Sequence, residues 1–206
     1  MKQCILLLLV FVCHTQLAVA SVQSTQRILV LGDSLSAAYG IQVEDGWVNL
    51  MRKELADHYT VINASISGET SGGGLRALPR LLEEHQPNVV IIELGANDGL
   101  RGFPINILKQ NLSQMIQLAQ NEGAQVMLAG MHIPPNYGPA YTAAFHQTFI
   151  DVAGEFNVPL LPFLLDGVAL RPELMQDDRL HPTAEAQPLI KENVLKTLRP
   201  LLQAQK

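Results

Sequence analysis

Three residue types in this chain have the makings of nucleophilic chemistry. Ser34 stands in "GDSLS", directly after the apolar run "RILVL". Asp178 and His181 stand in "DDRLHP", just ahead of Pro182. A serine hydroxyl is a weak nucleophile until a base takes its proton, and the base must be held in one tautomer by a third group. An aspartate three residues before a histidine can close one turn onto one imidazole nitrogen and leave the other facing outward. Each piece also has a plainer reading. A serine at a strand end is a common turn or cap residue, and a histidine near a helix start is a common surface residue.

Two other stretches supply hydrogen-bond donors without adding charge. "SGET" contains Gly68, whose backbone N–H can come close to a ligand because no Cβ intervenes. "GANDG" contains Asn97, whose side-chain amide donates without carrying charge. Neutral, fixed donors suit a developing oxyanion. Alone, each is an ordinary turn residue. "GDSLS" is not the G-x-S-x-G nucleophile elbow, because Ser36 occupies the fifth position.

The segments around these residues say whether they can meet. Short apolar, partly β-branched runs at 27–32, 60–65, 88–95, 124–130 and 158–163 read as strands buried on both faces. Between them, apolar residues recur three and four apart, as at Trp47, Leu50, Met51 and Leu55, and predict helices. Pro79 is expected to start or kink the second helix, and a last helix is expected over 183–198. "SGGG" at 71–74 reads as a flexible connection, since no GK[ST] follows to make a phosphate loop. Alternating strands and helices predict an α/β fold, a three-layer α/β/α sandwich around a parallel five-stranded sheet in the flavodoxin-like order 2-1-3-4-5. Ser34, Gly68 and Asn97 follow three successive strands, so this sheet puts them on one edge. Asp178 and His181 follow the fifth strand and can fold over it.

Composition narrows the rest. The 206 residues carry a net charge of -5 without a basic cluster, which argues against nucleic acid as a partner. Lys2, the apolar run at 5–12 and the small residues at 18–20 have the three-part layout of a secretory signal peptide. Residues 1–20 are therefore expected to be removed after Ala20, and 21–206 to form one domain. The apolar run is too short for a membrane anchor. Both cysteines, Cys4 and Cys13, lie within that leader, so the mature chain has no disulfide to form. His58, His85, His132 and His146 are scattered without metal-ligand spacing, and neither a metal nor a cofactor is expected.

Taken together, "GDSLS", "NASISGETS", "ELGANDGLRGF" and "DDRLHP" resemble, in order and spacing, the four blocks of the SGNH or GDSL hydrolases. Within that family the chain is similar to the exported bacterial branch of thioesterases, lysophospholipases and arylesterases, over nearly the whole mature length. The resemblance implies a metal-free Ser34–His181–Asp178 esterase with an oxyanion hole from the Ser34 N–H, the Gly68 N–H and the Asn97 amide. It implies small-molecule acyl esters or thioesters as substrates and, for an exported chain, a periplasmic rather than a secreted location; a monomer is expected. Arg179 departs from the pattern, standing where relatives often carry glycine and adding a cation at the entrance. An acyl chain needs an apolar groove. Leu100, Phe103 and Ile105 after Asn97, and Ile133, Pro134, Pro135 and Tyr137 after the fourth strand, are the candidates. Alternatives are a carbohydrate O-acetylesterase on the same fold and a non-catalytic binding module.

Overall fold

The computed structural model describes residues 25–203; the expected leader, 1–20, lies outside the described residues. Five parallel strands form one sheet in the order β2-β1-β3-β4-β5. They are β1 (Gln26–Gly32), β2 (Tyr59–Asn63), β3 (Val89–Glu93), β4 (Gln125–Ala129) and β5 (Leu160–Leu161). The order and the parallel sense are those expected. β3 is buried along its whole length, as a central strand covered on both faces must be.

The helices are α1 (Trp47–Leu55), α2 (Ser71–His85), α3 (Ala96–Leu100), α4 (Ile105–Asn121), α5 (Pro139–Phe156) and α6 (Gln187–Gln203). α1 packs against α6, while α2, α4 and α5 pack side by side. The chain direction across the sheet reverses after β2, and right-handed crossovers then send α1 and α2 to opposite faces. Every strand-to-helix loop consequently opens on the carboxyl edge of the sheet, where such folds bind ligands.

Several elements differ from expectation for definite reasons. β5 has only two residues because Pro159 and Pro162 bracket it, and a proline has no N–H for the ladder. "SGGG" is the first turn of α2 rather than a connection. The Thr70 hydroxyl accepts from the Gly73 N–H at 3.2 Å and caps it. α2 begins well before Pro79 and passes through it, so Pro79 lies inside the helix rather than at its start. Trp47, fully buried, donates from Nε1 to the Leu35 carbonyl at 3.1 Å and ties the turn behind Ser34 into the core.

Candidate active site

Ser34 leaves β1 in a tight turn whose backbone bonds run from Ser36 and Ala37 N–H to the Asp33 carbonyl, at 3.3 and 2.9 Å. The turn leaves the Ser34 side chain facing the edge, half-buried. The partner residues come from a short hairpin. Met175 and Pro182 form an antiparallel bridge, Gln176 N–H donates to the His181 carbonyl at 2.8 Å, and Thr183 N–H to the Leu174 carbonyl at 2.8 Å. At its tip, Asp178 Oδ1 accepts from the Leu180 and His181 N–H groups at 2.9 and 3.0 Å.

This hairpin aims Asp178 and His181 at Ser34. Asp178 Oδ2 lies 2.6 Å from His181 Nδ1, and His181 Nε2 lies 2.9 Å from Ser34 Oγ. Burial alone would raise the Asp178 carboxyl. The bonds from the His181 side chain and from the backbone of His181 and Leu180 outweigh it and hold the pKa at about 2. An ionised carboxylate can only accept, so Nδ1 carries the imidazole proton and Nε2 is free to accept from Ser34 Oγ. Tyr39 packs on the outer side of the imidazole, with ring centroids 4.4 Å apart.

Arg179 sits between the two residues with φ 57°, in the left-handed region that favours glycine. The hairpin tip needs that conformation, because Arg179 N–H closes a turn onto the Gln176 carbonyl at 2.9 Å. Arg179→Gly is expected to raise stability by about 0.5–1 kcal/mol, the left-handed penalty less the added chain entropy. Urea unfolding checks this; a loss of stability would mean that the arginine stem packs.

Asn97, in the short helix α3, donates from Nδ2 to Asp33 Oδ2 at 3.1 Å. Gly68 has φ 80° and occupies the neighbouring loop, its carbonyl accepting from Arg101 at 3.0 Å. Asn97 lines the cavity in front of Ser34.

That cavity holds about 200 Å³ and reaches Ser34, Asn97 and His181. Leu100, Ile133 and Pro134 line it. It runs into a groove of about 730 Å³ along Pro135, Phe163, Leu165, Leu170, Arg171 and Arg179. Three of the anticipated residues lie elsewhere. Phe103 is exposed and its carbonyl accepts from the Tyr141 hydroxyl. Ile105 opens α4 and packs partly on the core. Tyr137 donates its hydroxyl to the Leu100 carbonyl at 2.7 Å and so braces the wall from behind. The groove wall from 163 to 171 was missed because 158–163 read as buried strand throughout. Its signal was Pro162, which ends β5 and frees Phe163.

Two buried carboxyl groups lie behind the serine. Asp33 and Glu93 are both fully buried. Glu93 Oε2 accepts from the Ser36 hydroxyl at 2.5 Å and the Asp33 N–H at 3.2 Å. Burial, together with Asp33, raises the Glu93 carboxyl well above its usual value. Burial pushes Asp33 up to about 6, against the bonds from Leu35 and Asn97 that lower it. On the far side of α3's start, Asp98 accepts from the Ser71 hydroxyl at 2.5 Å and the Ser71 N–H at 2.8 Å, which pins α2 to α3.

Residues 30–188 match the model of the GDSL-like Lipase/Acylhydrolase family. The chain belongs to that family. It is 52% identical to the esterase TesA of Pseudomonas aeruginosa over 87% of this chain and 90% of that one. It is 45% identical to the thioesterase 1/protease 1/lysophospholipase L1 of Escherichia coli K12, over 87% of this chain and 86% of that one. A crystal structure of TesA superposes with a TM-score of 0.83 at 52% identity, covering 85% of this chain and 99% of the other. The family's α/β fold is the one described above, with its sheet order.

Proposed function

We propose that this GDSL-like acylhydrolase cleaves carboxylic esters and thioesters of medium to long acyl chains through an acyl-enzyme on Ser34. The observation that carries the reading is the relay from Asp178 through His181 to Ser34, with contacts of 2.6 and 2.9 Å. The names of the relatives, an esterase and a thioesterase/lysophospholipase, support the same class.

In this mechanism Ser34 Oγ attacks the acyl carbon while His181 Nε2 takes the hydroxyl proton. The carbonyl π pair moves to oxygen, and the oxyanion is met by the Ser34 N–H, the Gly68 N–H and the second N–H of Asn97. Collapse breaks the bond to the leaving alkoxide or thiolate, which receives the proton from Nε2. Water then attacks the acyl-serine carbon and gives a proton to Nε2. The second tetrahedral intermediate expels Ser34 Oγ, which takes that proton back, and the free acid leaves. Asp178 remains ionised throughout and stabilises the imidazolium.

The groove that opens beside Ser34 is the proposed seat of the acyl chain. Its walls are largely apolar, and Leu170, at 97% exposed, stands unpacked on its rim. Each methylene moved from water into such a groove contributes roughly 0.8 kcal/mol. Activity, as kcat/KM on p-nitrophenyl esters, is expected to climb from acetyl towards decanoyl and level off when the groove is full. Phe163→Ser should flatten the climb and leave the acetyl rate near that of the wild type. A wild-type profile that peaks at acetyl would reject the acyl-chain reading and favour an O-acetylesterase. Inactivity on every ester would favour a binding module.

We also propose that residues 1–20 direct export to the periplasm and that the mature protein acts as a monomer. Among the described residues no helix is long and apolar enough to cross a membrane. N-terminal sequencing of the exported protein should begin at Ser21.

A further inference from the structure

We propose that Asp33 is a positioning residue that fixes which end of the Asn97 amide faces the oxyanion. The inference rests on Asn97 being an oxyanion donor.

An asparagine side chain has two ends of nearly equal size and opposite function. One presents two N–H donors, the other an acceptor oxygen. Rotated by half a turn, Asn97 would offer its carbonyl oxygen to a developing oxyanion and repel it. Something must therefore select the orientation. Asn97 Nδ2 lies 3.1 Å from Asp33 Oδ2, and a carboxylate at that distance accepts from the NH2 end alone. One amide proton is consumed by Asp33, and the other remains for the ligand.

Asp33 is itself held with little freedom. Its Oδ1 accepts from the Leu35 N–H at 3.0 Å, and its own N–H donates to Glu93 at 3.2 Å. Its side chain is fully buried, so water does not compete for the carboxylate. The charged or titratable groups around it are Glu93 below, Asp98 on α3 and His181 across the cavity. Of the two adjoining buried carboxyls, Asp33 is the one placed to carry the charge. It receives two N–H donors and faces His181, whereas burial and the neighbouring Asp33 both raise the Glu93 carboxyl well above its usual range. The immediate neighbour of the nucleophile in "GDSL" thus has a task distinct from turning the chain. It also makes the Ser34 turn and the Asn97 amide one rigid unit across β1 and β3.

A double-mutant cycle separates this role from a structural one. Asn97→Ala alone should lower kcat on p-nitrophenyl decanoate by about 10²–10³ with KM little changed. Asp33→Ala should lower kcat by roughly 10- to 100-fold, again with KM within about twofold, approaching the loss of the donor itself. Asp33→Asn preserves size and keeps the test valid if the alanine variant does not fold. It should be equally damaging, because the Leu35 N–H and Asn97 address different carboxylate oxygens, and an asparagine replaces one of the two with an NH2 donor. In the Asn97→Ala background either Asp33 change should cost less than about threefold more, because the group through which Asp33 acts is gone. Losses that multiply in the double variants would overturn the inference and assign Asp33 to the Ser34 turn alone. An Asp33→Asn enzyme with wild-type kcat would overturn it too. Unchanged kcat in Asn97→Ala would remove the oxyanion role itself, and this inference with it.

Discussion

Ser34→Ala is expected to lower kcat by about 10⁶ while leaving KM and the fold essentially unchanged. The hydroxyl supplies the electron pair that forms the acyl-enzyme, and no neighbouring group can take its place. Ser36, two residues on, is buried and bonded to Glu93 at 2.5 Å, facing away from the cavity. The side chain of Ser34 contributes little to stability, since its one hydrogen bond is to His181 and it is half-buried at the sheet edge. Substrate binding uses the groove walls, which the substitution does not touch. Steady-state kinetics with a decanoyl ester and a thermal melt check both halves. Activity above about one-hundredth of wild type would place the nucleophile elsewhere, because a triad serine carries far more than that.

Asp178→Asn should cost on the order of 10⁴ in kcat with the geometry preserved. Oδ1 of Asp178 accepts from two backbone N–H groups, and an asparagine keeps those bonds only by leaving its oxygen there. Its NH2 group then faces His181 Nδ1, which must become an acceptor. The imidazole proton moves to Nε2, and the base becomes a donor towards Ser34. Asp178→Ala should be less selective in tautomer but looser in orientation. The lowered pKa of about 2 in the folded chain, against 3.8 ordinarily, has a second consequence. The stabilisation from this pair is complete above the ordinary value and is lost as pH falls through about 2. Loss of activity between pH 5 and 7 in the wild type is therefore not due to Asp178. A pH–rate profile of Asp178→Asn that matches the wild type in both shape and height would contradict the tautomer argument.

The Asp178–His181 spacing and the strand ends at Ser34 and Asn97 were legible because local chain geometry determines them. A three-residue interval is short enough for one turn to bring carboxylate and imidazole together, and a parallel sheet brings successive strand exits to one edge. What remained hidden depends on long-range packing. Asp33 and Glu93 lie sixty residues apart, and in a sequence each is only an acid beside an apolar run. The terminal Glu93 of an otherwise apolar strand was the available clue: a charge at a buried position needs a partner. The apolar wall was half legible. Ile133 and Pro134 follow β4 directly, so sheet topology delivers them to the cavity. Phe103 and Tyr137 were expected there as apolar residues on the loops after Asn97 and after the fourth strand, and hydrogen bonds with Tyr141 and Leu100 hold those loops in other places. "SGGG" misled because glycine opposes helix in isolation, whereas the Thr70 cap and the burial of Gly73 and Gly74 favour it in this fold.

Covalent trapping tests the central claim most directly. A p-nitrophenyl alkylphosphonate offers phosphorus where the acyl carbon would stand, and a serine that attacks it displaces nitrophenolate and stays blocked. The account predicts release of one equivalent of nitrophenolate per chain, complete loss of esterase activity, and the phosphonyl mass on the peptide that contains Ser34. Asn97→Ala should slow the labelling, and Ser34→Ala should abolish it. A label on any other residue, or ester turnover that continues with Ser34 fully blocked, would contradict the assignment of the acyl-enzyme to Ser34.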